Sequence, residues 1–173
     1  MVILCPSVSV VKEIHAHFIK QYGVGGYMSE GMIDGCLERS MTYVFDFQPF
    51  PKLFLKAAAL LYSYIVFHPF VDGNKRTAFQ TTKLFLRLNG HELIVPAQEG
   101  FDFTKEIADL KITEINEIAG WLKKHSKRKL IYLFVNFLTK FVLLTVYDKP
   151  KEKRYSMPSS VRLLTETVRL YPD

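Results

Sequence analysis

The sequence predicts an all-α fold, and three observations predict it. Apolar residues recur at helical spacing along most of the chain, strand-like alternation is scarce, and Gly, Pro and Asn punctuate the successive runs. With 173 residues and 49% hydrophobic content, the chain is long enough for one ordinary domain with a proper core, plus an appendage.

The elements follow in order. From about Ser7 to Gln21 the residues Val10, Val11, Ile14 and Phe18 share one face, and Gly23 ends the run. Ser29 reads as the N-cap of a shorter helix that carries Met32, Ile33, Cys36 and Leu37. The segment Thr42 to Pro51, TYVFDFQPFP, alternates Tyr43, Phe45 and Phe47 with other residues and holds two prolines, so it is expected as a small extended hairpin or flap. Lys52 to Phe67 is apolar almost all round, which describes a central helix covered by its neighbours and ending at His68. Ala78, Phe79, Leu84, Phe85, Leu86 and Leu88 continue a helix that Asn89-Gly90 stops. Two further helices are expected, one over roughly Gly100 to Leu110 and one that starts after Thr113 and carries Ile115, Ile118, Trp121 and Leu122.

Beyond Lys123 the character changes. Residues 1–122 hold 11 Lys/Arg against 13 Asp/Glu, whereas 123–173 hold 12 against 4, so the net charge of +6 belongs to the tail. Clustered cations are what a phosphate backbone requires, and a core without a basic excess is not expected to bind nucleic acid. Within the tail, 130–147 is an 18-residue apolar run interrupted by Asn136, Thr139 and Lys140. Two uses are open to it, a packing or dimerisation helix and membrane association. Lys140 at the centre of a bilayer would cost roughly 2.5–3.5 kcal/mol, which favours the former. Two widely separated cysteines, Cys5 and Cys36, argue against a disulfide framework or structural zinc, and no secretion signal is read at the N-terminus. A cytoplasmic protein is expected, with a main domain over 1–125 and an extension over 126–173.

The stretch with chemistry in it is HPFVDGNKRTAFQ, residues 68–80. Gly73 permits a sharp turn, and a helix that starts at Asn74 presents unpaired N–H groups and the positive end of its dipole. Lys75 and Arg76 add charge at the same place, and the Arg fork can grip phosphate oxygens in pairs. Asp72 is placed to hold Mg²⁺ against phosphates, and His68 can take a proton near neutral pH. A single His beside Pro, or a D-G-N turn, is commonly structural. The co-occurrence of base, metal ligand, anion cradle and cation clamp is what points to phosphate-transfer chemistry. GNKRT is not a P-loop, because the spacing of the two glycines is missing and a helix rather than a strand precedes it.

The run HPFVDGNKR resembles the active-site signature of the Fic superfamily, H-x-F-x-[DE]-G-N followed by a basic or glycine position and Arg. Its context, AAALLYSYIVF before it and LFLRLNGHEL after it, is similar to the death-on-curing branch of toxin–antitoxin pairs, over about residues 7–125. The resemblance implies a Fic-type helical bundle. It also implies His68 as general base, Asp72 as Mg²⁺ ligand, Gly73, Asn74 and Arg76 as binders of ATP phosphates, and the flap Tyr43, Val44, Phe45, Asp46 and Phe47 as the grip on a target's main chain.

Two departures set the expected reaction. Lys75 stands where the nucleotidyl-transferring pattern has glycine, and Phe79 stands where that pattern has a second Arg. In the death-on-curing branch the same lysine accompanies transfer of the γ-phosphoryl group to a protein hydroxyl. Phosphorylation of a translation component on a Ser, Thr or Tyr hydroxyl is therefore the expectation, with AMP transfer as the alternative and an inactive scaffold that binds through its basic tail as a second. A self-inhibitory [ST]-x-x-x-E-[GN] helix has its nearest match at Thr113 to Glu117, but Ile118 follows where Gly or Asn should stand. The resemblance thus implies an antitoxin supplied in trans.

Overall fold

The computed structural model describes residues 3–43, 45, 47–129 and 168–171. Strand β1 (Ile3–Pro6) leads into α1 (Val8–Tyr22) and α2 (Glu30–Met41). Then come α3 (Leu53–Val66), α4 (Asn74–Leu88), β2 (His91–Leu93), α5 (Ala97–Ala108), α6 (Ile115–Lys124), β3 (Ser126–Arg128) and β4 (Val168–Tyr171). The fold is the mostly helical one that the sequence predicts.

Local chemistry sets the helix ends. Ser7 and Ser29 cap α1 and α2 by accepting the N–H groups of Val10 and Met32, so two otherwise orphaned donors are satisfied. Central α3 packs against α2, α4, α5 and α6. Its consecutive Ala57, Ala58 and Ala59 are buried and let neighbours approach closely, while Leu60, Leu61, Tyr64 and Ile65 supply bulk. Each such large side chain contributes about 1.5–3 kcal/mol when fully buried. The Tyr64 hydroxyl donates to the Ile33 carbonyl at 2.8 Å, which removes the penalty of burying it.

Asn89 does more than end α4. Its side-chain oxygen accepts from the Leu4 N–H at 3.0 Å and its amide donates to the Leu4 carbonyl at 2.7 Å, tying β1 to the end of α4. Gly90 follows with a φ of 84°, the left-handed conformation that glycine adopts without strain.

The strand pairs lie away from the segment expected as a hairpin. Antiparallel β1–β4 sets Ile3 opposite Tyr171, and antiparallel β2–β3 sets His91 opposite Arg128. Among the described residues of 42–51 there is a turn at Phe45 and no named strand. Helix α5 begins at Ala97, before the expected Gly100 and directly after Pro96, with no side-chain cap. The described parts of the expected extension are β3 and β4, both paired with the body. The apolar run 130–147, expected as a packing or dimerisation helix, lies outside the described residues, as do Val44 and Asp46 of the flap. Among the described residues no helix is long and apolar enough to cross a membrane.

Candidate active site

Helix α3 ends at Val66, and the connection to α4 is built by its own side chains. His68 has a φ of 49°, a left-handed conformation that a non-glycine residue holds only when its surroundings fix it. Its Nδ1–H donates to the Val66 carbonyl at 3.0 Å. That bond assigns the ring proton to Nδ1 and leaves the Nε2 lone pair available.

Asn74 closes the loop. Its Oδ1 accepts from the Phe70 N–H at 3.0 Å and its Nδ2 donates to the Phe70 carbonyl at 2.8 Å, both in the interior. The Asn74 side chain is thus committed to the loop, which leaves its main-chain N–H at the start of α4 as the group that can meet an anion, in line with the cradle expected from the sequence. Gly73 has a φ of 77°, which turns the chain into that helix. A Cβ there would sit 3.3 Å from Ile19 Cδ1, in a strained backbone besides.

Three supports hold this loop from outside. Phe70 is buried with its ring stacked on His15 at 4.0 Å between centroids, and Tyr64 lies beyond it at 6.2 Å. His15, only 5% exposed, donates from Nε2 to the Asp72 carbonyl at 3.0 Å. The α1–α2 connection adds main-chain bonds, Met28 N–H to the Pro69 carbonyl at 2.8 Å and Val71 N–H to the Gly26 carbonyl at 3.1 Å. The Asp72 carboxylate accepts from the Gly73 N–H through Oδ1. Its Oδ2 lies so near Gly23 that a Cβ on Gly23 would come within 2.6 Å of it.

The outcome is a cleft of about 510 Å³ lined by His68, Val71, Asp72, Gly73, Asn74, Lys75, Arg76 and Phe101. All six polar or turn positions singled out in the sequence therefore border one cavity. A proton acceptor, a carboxylate, a helix N-terminus and two cations around one space can hold a phosphorylated ligand and take a proton beside it. The flap stands apart from this list, with Tyr43, Phe45 and Phe47 exposed. Phe79, at the position of the missing second Arg, packs against α5, where a Cβ on Gly100 would fall 2.9 Å from its ring.

Sequence reasoning missed His15, Gly23 and Phe101. His15 carried a signal, a polar side chain on the apolar face of α1, four residues after Val11 and three before Phe18. Gly23 and Phe101 carried none, because their relevance depends on which segments meet in space. Both cysteines are buried and outside any disulfide, and burial pushes the Cys36 thiol up to about 12, so it is protonated and inert at neutral pH.

The Fic/DOC family model matches residues 6–86, which include α1 to α3, nearly all of α4, and the loop. Toxin Doc of Mycolicibacterium smegmatis is 43% identical over 63 residues, 36% of this chain and 48% of that protein. The chain thus spans about half the length of the curated relative it matches.

Proposed function

We propose that the chain, whose residues 6–86 match the Fic/DOC family model, is a death-on-curing-type toxin that moves the γ-phosphoryl group of ATP to a hydroxyl of a target protein. The observation that carries this reading is Lys75 in the cleft wall, in a lining shared with His68, Gly73 and Arg76. A lysine there adds charge where the nucleotidyl-transferring pattern keeps a small glycine open for outer phosphates.

In this reading His68 Nε2 accepts the proton of a Ser, Thr or Tyr hydroxyl as that oxygen attacks the γ-phosphorus. The bond from that phosphorus to the β-γ bridging oxygen breaks, and ADP leaves. The N–H groups at the start of α4, with Lys75 and Arg76, hold phosphate oxygens and stabilise the charge that spreads over them. Asp72 is the residue that would hold Mg²⁺. It fits that role, since its carboxylate is oriented by the Gly73 N–H and has space beside Gly23 that a side chain would fill. A single carboxylate suits an ion that also takes waters and phosphate oxygens as ligands, and the bound ion would neutralise phosphate charge.

The proposal extends to the whole protein. The catalytic unit is 1–125, with 126–173 as an extension whose apolar run 130–147 would serve packing or dimerisation. The flap Thr42 to Pro51 grips the target's main chain as an added strand would. The target is a component of translation, and the partner is an antitoxin supplied in trans. Incubation with ATP labelled at the γ or the α phosphorus tests the reaction. Label in the target from γ alone, lost with His68→Ala, supports it, whereas label from α alone replaces it with AMP transfer.

A further inference from the structure

One wall of the cleft is aromatic. Phe101 comes from α5, whereas every other lining residue belongs to the loop or the start of α4. The core face of α5 is formed by Gly100, Phe103, Thr104 and Ile107, and Phe101 stands off that face at 54% exposure. It makes no ring stack among the described residues, although Phe103 two positions on, facing the core, stacks on Trp121 at 3.8 Å. An exposed phenylalanine alone is ordinary on a protein surface. Here it borders a cavity whose remaining wall holds Lys75, Arg76, the Asp72 carboxylate and the N–H groups at the start of α4.

We infer that Phe101 is the stacking platform for the base of the nucleotide. The inference rests on the nucleotide reading of the cleft and deepens it. A ligand that carries both phosphates and a flat ring matches a cavity lined by both an anion cradle and an aromatic side chain. The volume of about 510 Å³ falls within the range of roughly 300–1,000 Å³ typical of small-molecule sites. Stacking reads the face of a base and not its edge, so Phe101 contributes affinity without selecting adenine over guanine.

The test is direct binding of ATP, GTP and inorganic tripolyphosphate, each with Mg²⁺, to the full chain and to Phe101→Ala and Phe101→Tyr. Loss of one base stack corresponds to about 5- to 150-fold in affinity. Phe101→Ala is expected to weaken ATP and GTP alike within that range, to leave tripolyphosphate unchanged, and to be rescued by Phe101→Tyr. The inference is overturned on its own if the parent chain binds ATP and Phe101→Ala binds it equally well, including the case in which only transfer to the target protein falls. An equal loss for tripolyphosphate also overturns it, since the substitution then disturbs the cradle. If the parent chain binds neither ATP nor tripolyphosphate, the nucleotide reading itself fails and takes this inference with it.

Discussion

The loop from His68 to Arg76 and the flap from Thr42 to Pro51 are both aromatic-bearing connections, yet they are built on opposite principles. In the loop, Phe70 is buried against His15, its main-chain N–H and carbonyl are both satisfied by Asn74, and the neighbouring peptide groups bond to the α1–α2 connection. In the flap, Tyr43, Phe45 and Phe47 face solvent. Reacting groups must be held within fractions of an ångström, which requires a backbone accounted for bond by bond. A surface that meets another protein gains instead from accessible aromatic area. The difference fits the proposed division of roles, chemistry in the first segment and contact in the second.

Removing the base should break the loop side of this comparison most severely. If Nε2 of His68 accepts the target's proton, His68→Ala should lower single-turnover transfer by about 10²–10⁴-fold. His68 is exposed, so the thermal midpoint should stay where it is. Transfer at the parent rate would remove His68 from the mechanism.

Asn74→Ala comes next and should register as stability. It orphans a buried N–H and a buried carbonyl at Phe70, each worth about 1–3 kcal/mol when left unpaired. Denaturant unfolding should show a lower midpoint with an unchanged slope, and Asn74→Asp should recover the acceptor half of the loss. A midpoint equal to that of the parent would mean that the loop does not depend on its clamp.

Gly23→Ala sharpens the comparison between fixed and open parts. The glycine has an extended backbone that alanine can adopt, so the effect is steric, a methyl group within 2.6 Å of Asp72 Oδ2 and 2.7 Å of Ile19 Cδ1. Displacement of the carboxylate should raise the Mg²⁺ concentration needed for half-maximal transfer several-fold, with a smaller change in unfolding. An unchanged Mg²⁺ dependence would detach Asp72 from the metal.

Much of this organisation was legible in residue order. Capping serines, the nearly all-apolar run of α3 and the Asn89-Gly90 stop each act over a few neighbouring residues, so the helices follow from local chemistry. The loop was legible for the same reason, since His68, Asp72, Gly73, Lys75 and Arg76 lie within nine positions. The strands were not. Ile3–Pro6 is buried at every position and shows no alternation, and His91–Leu93 is too short to display a period. The clamp made by the Asn74 side chain was not legible, because only the fold shows that it turns back to Phe70. His15, Gly23 and Phe101 reach the site from α1, the α1–α2 connection and α5, and no spacing rule connects them to residue 72.

The smallest effect on the molecule itself, and the sharpest test of the flap, is expected at Phe45. The side chain is 97% exposed and its φ is 53°, so it contributes no packing and holds a conformation that a bulky residue avoids. Phe45→Gly relieves about 1 kcal/mol of left-handed strain, which the greater freedom of glycine in the unfolded chain largely offsets. Stability should therefore move by no more than about 0.5 kcal/mol, the range of ordinary surface changes. If the ring is retained for contact with the target, the same substitution should raise KM for the protein substrate and leave ATP affinity untouched. A rise in both would place Phe45 with the nucleotide, and the contrast between a fixed chemical loop and an open contact flap would fail.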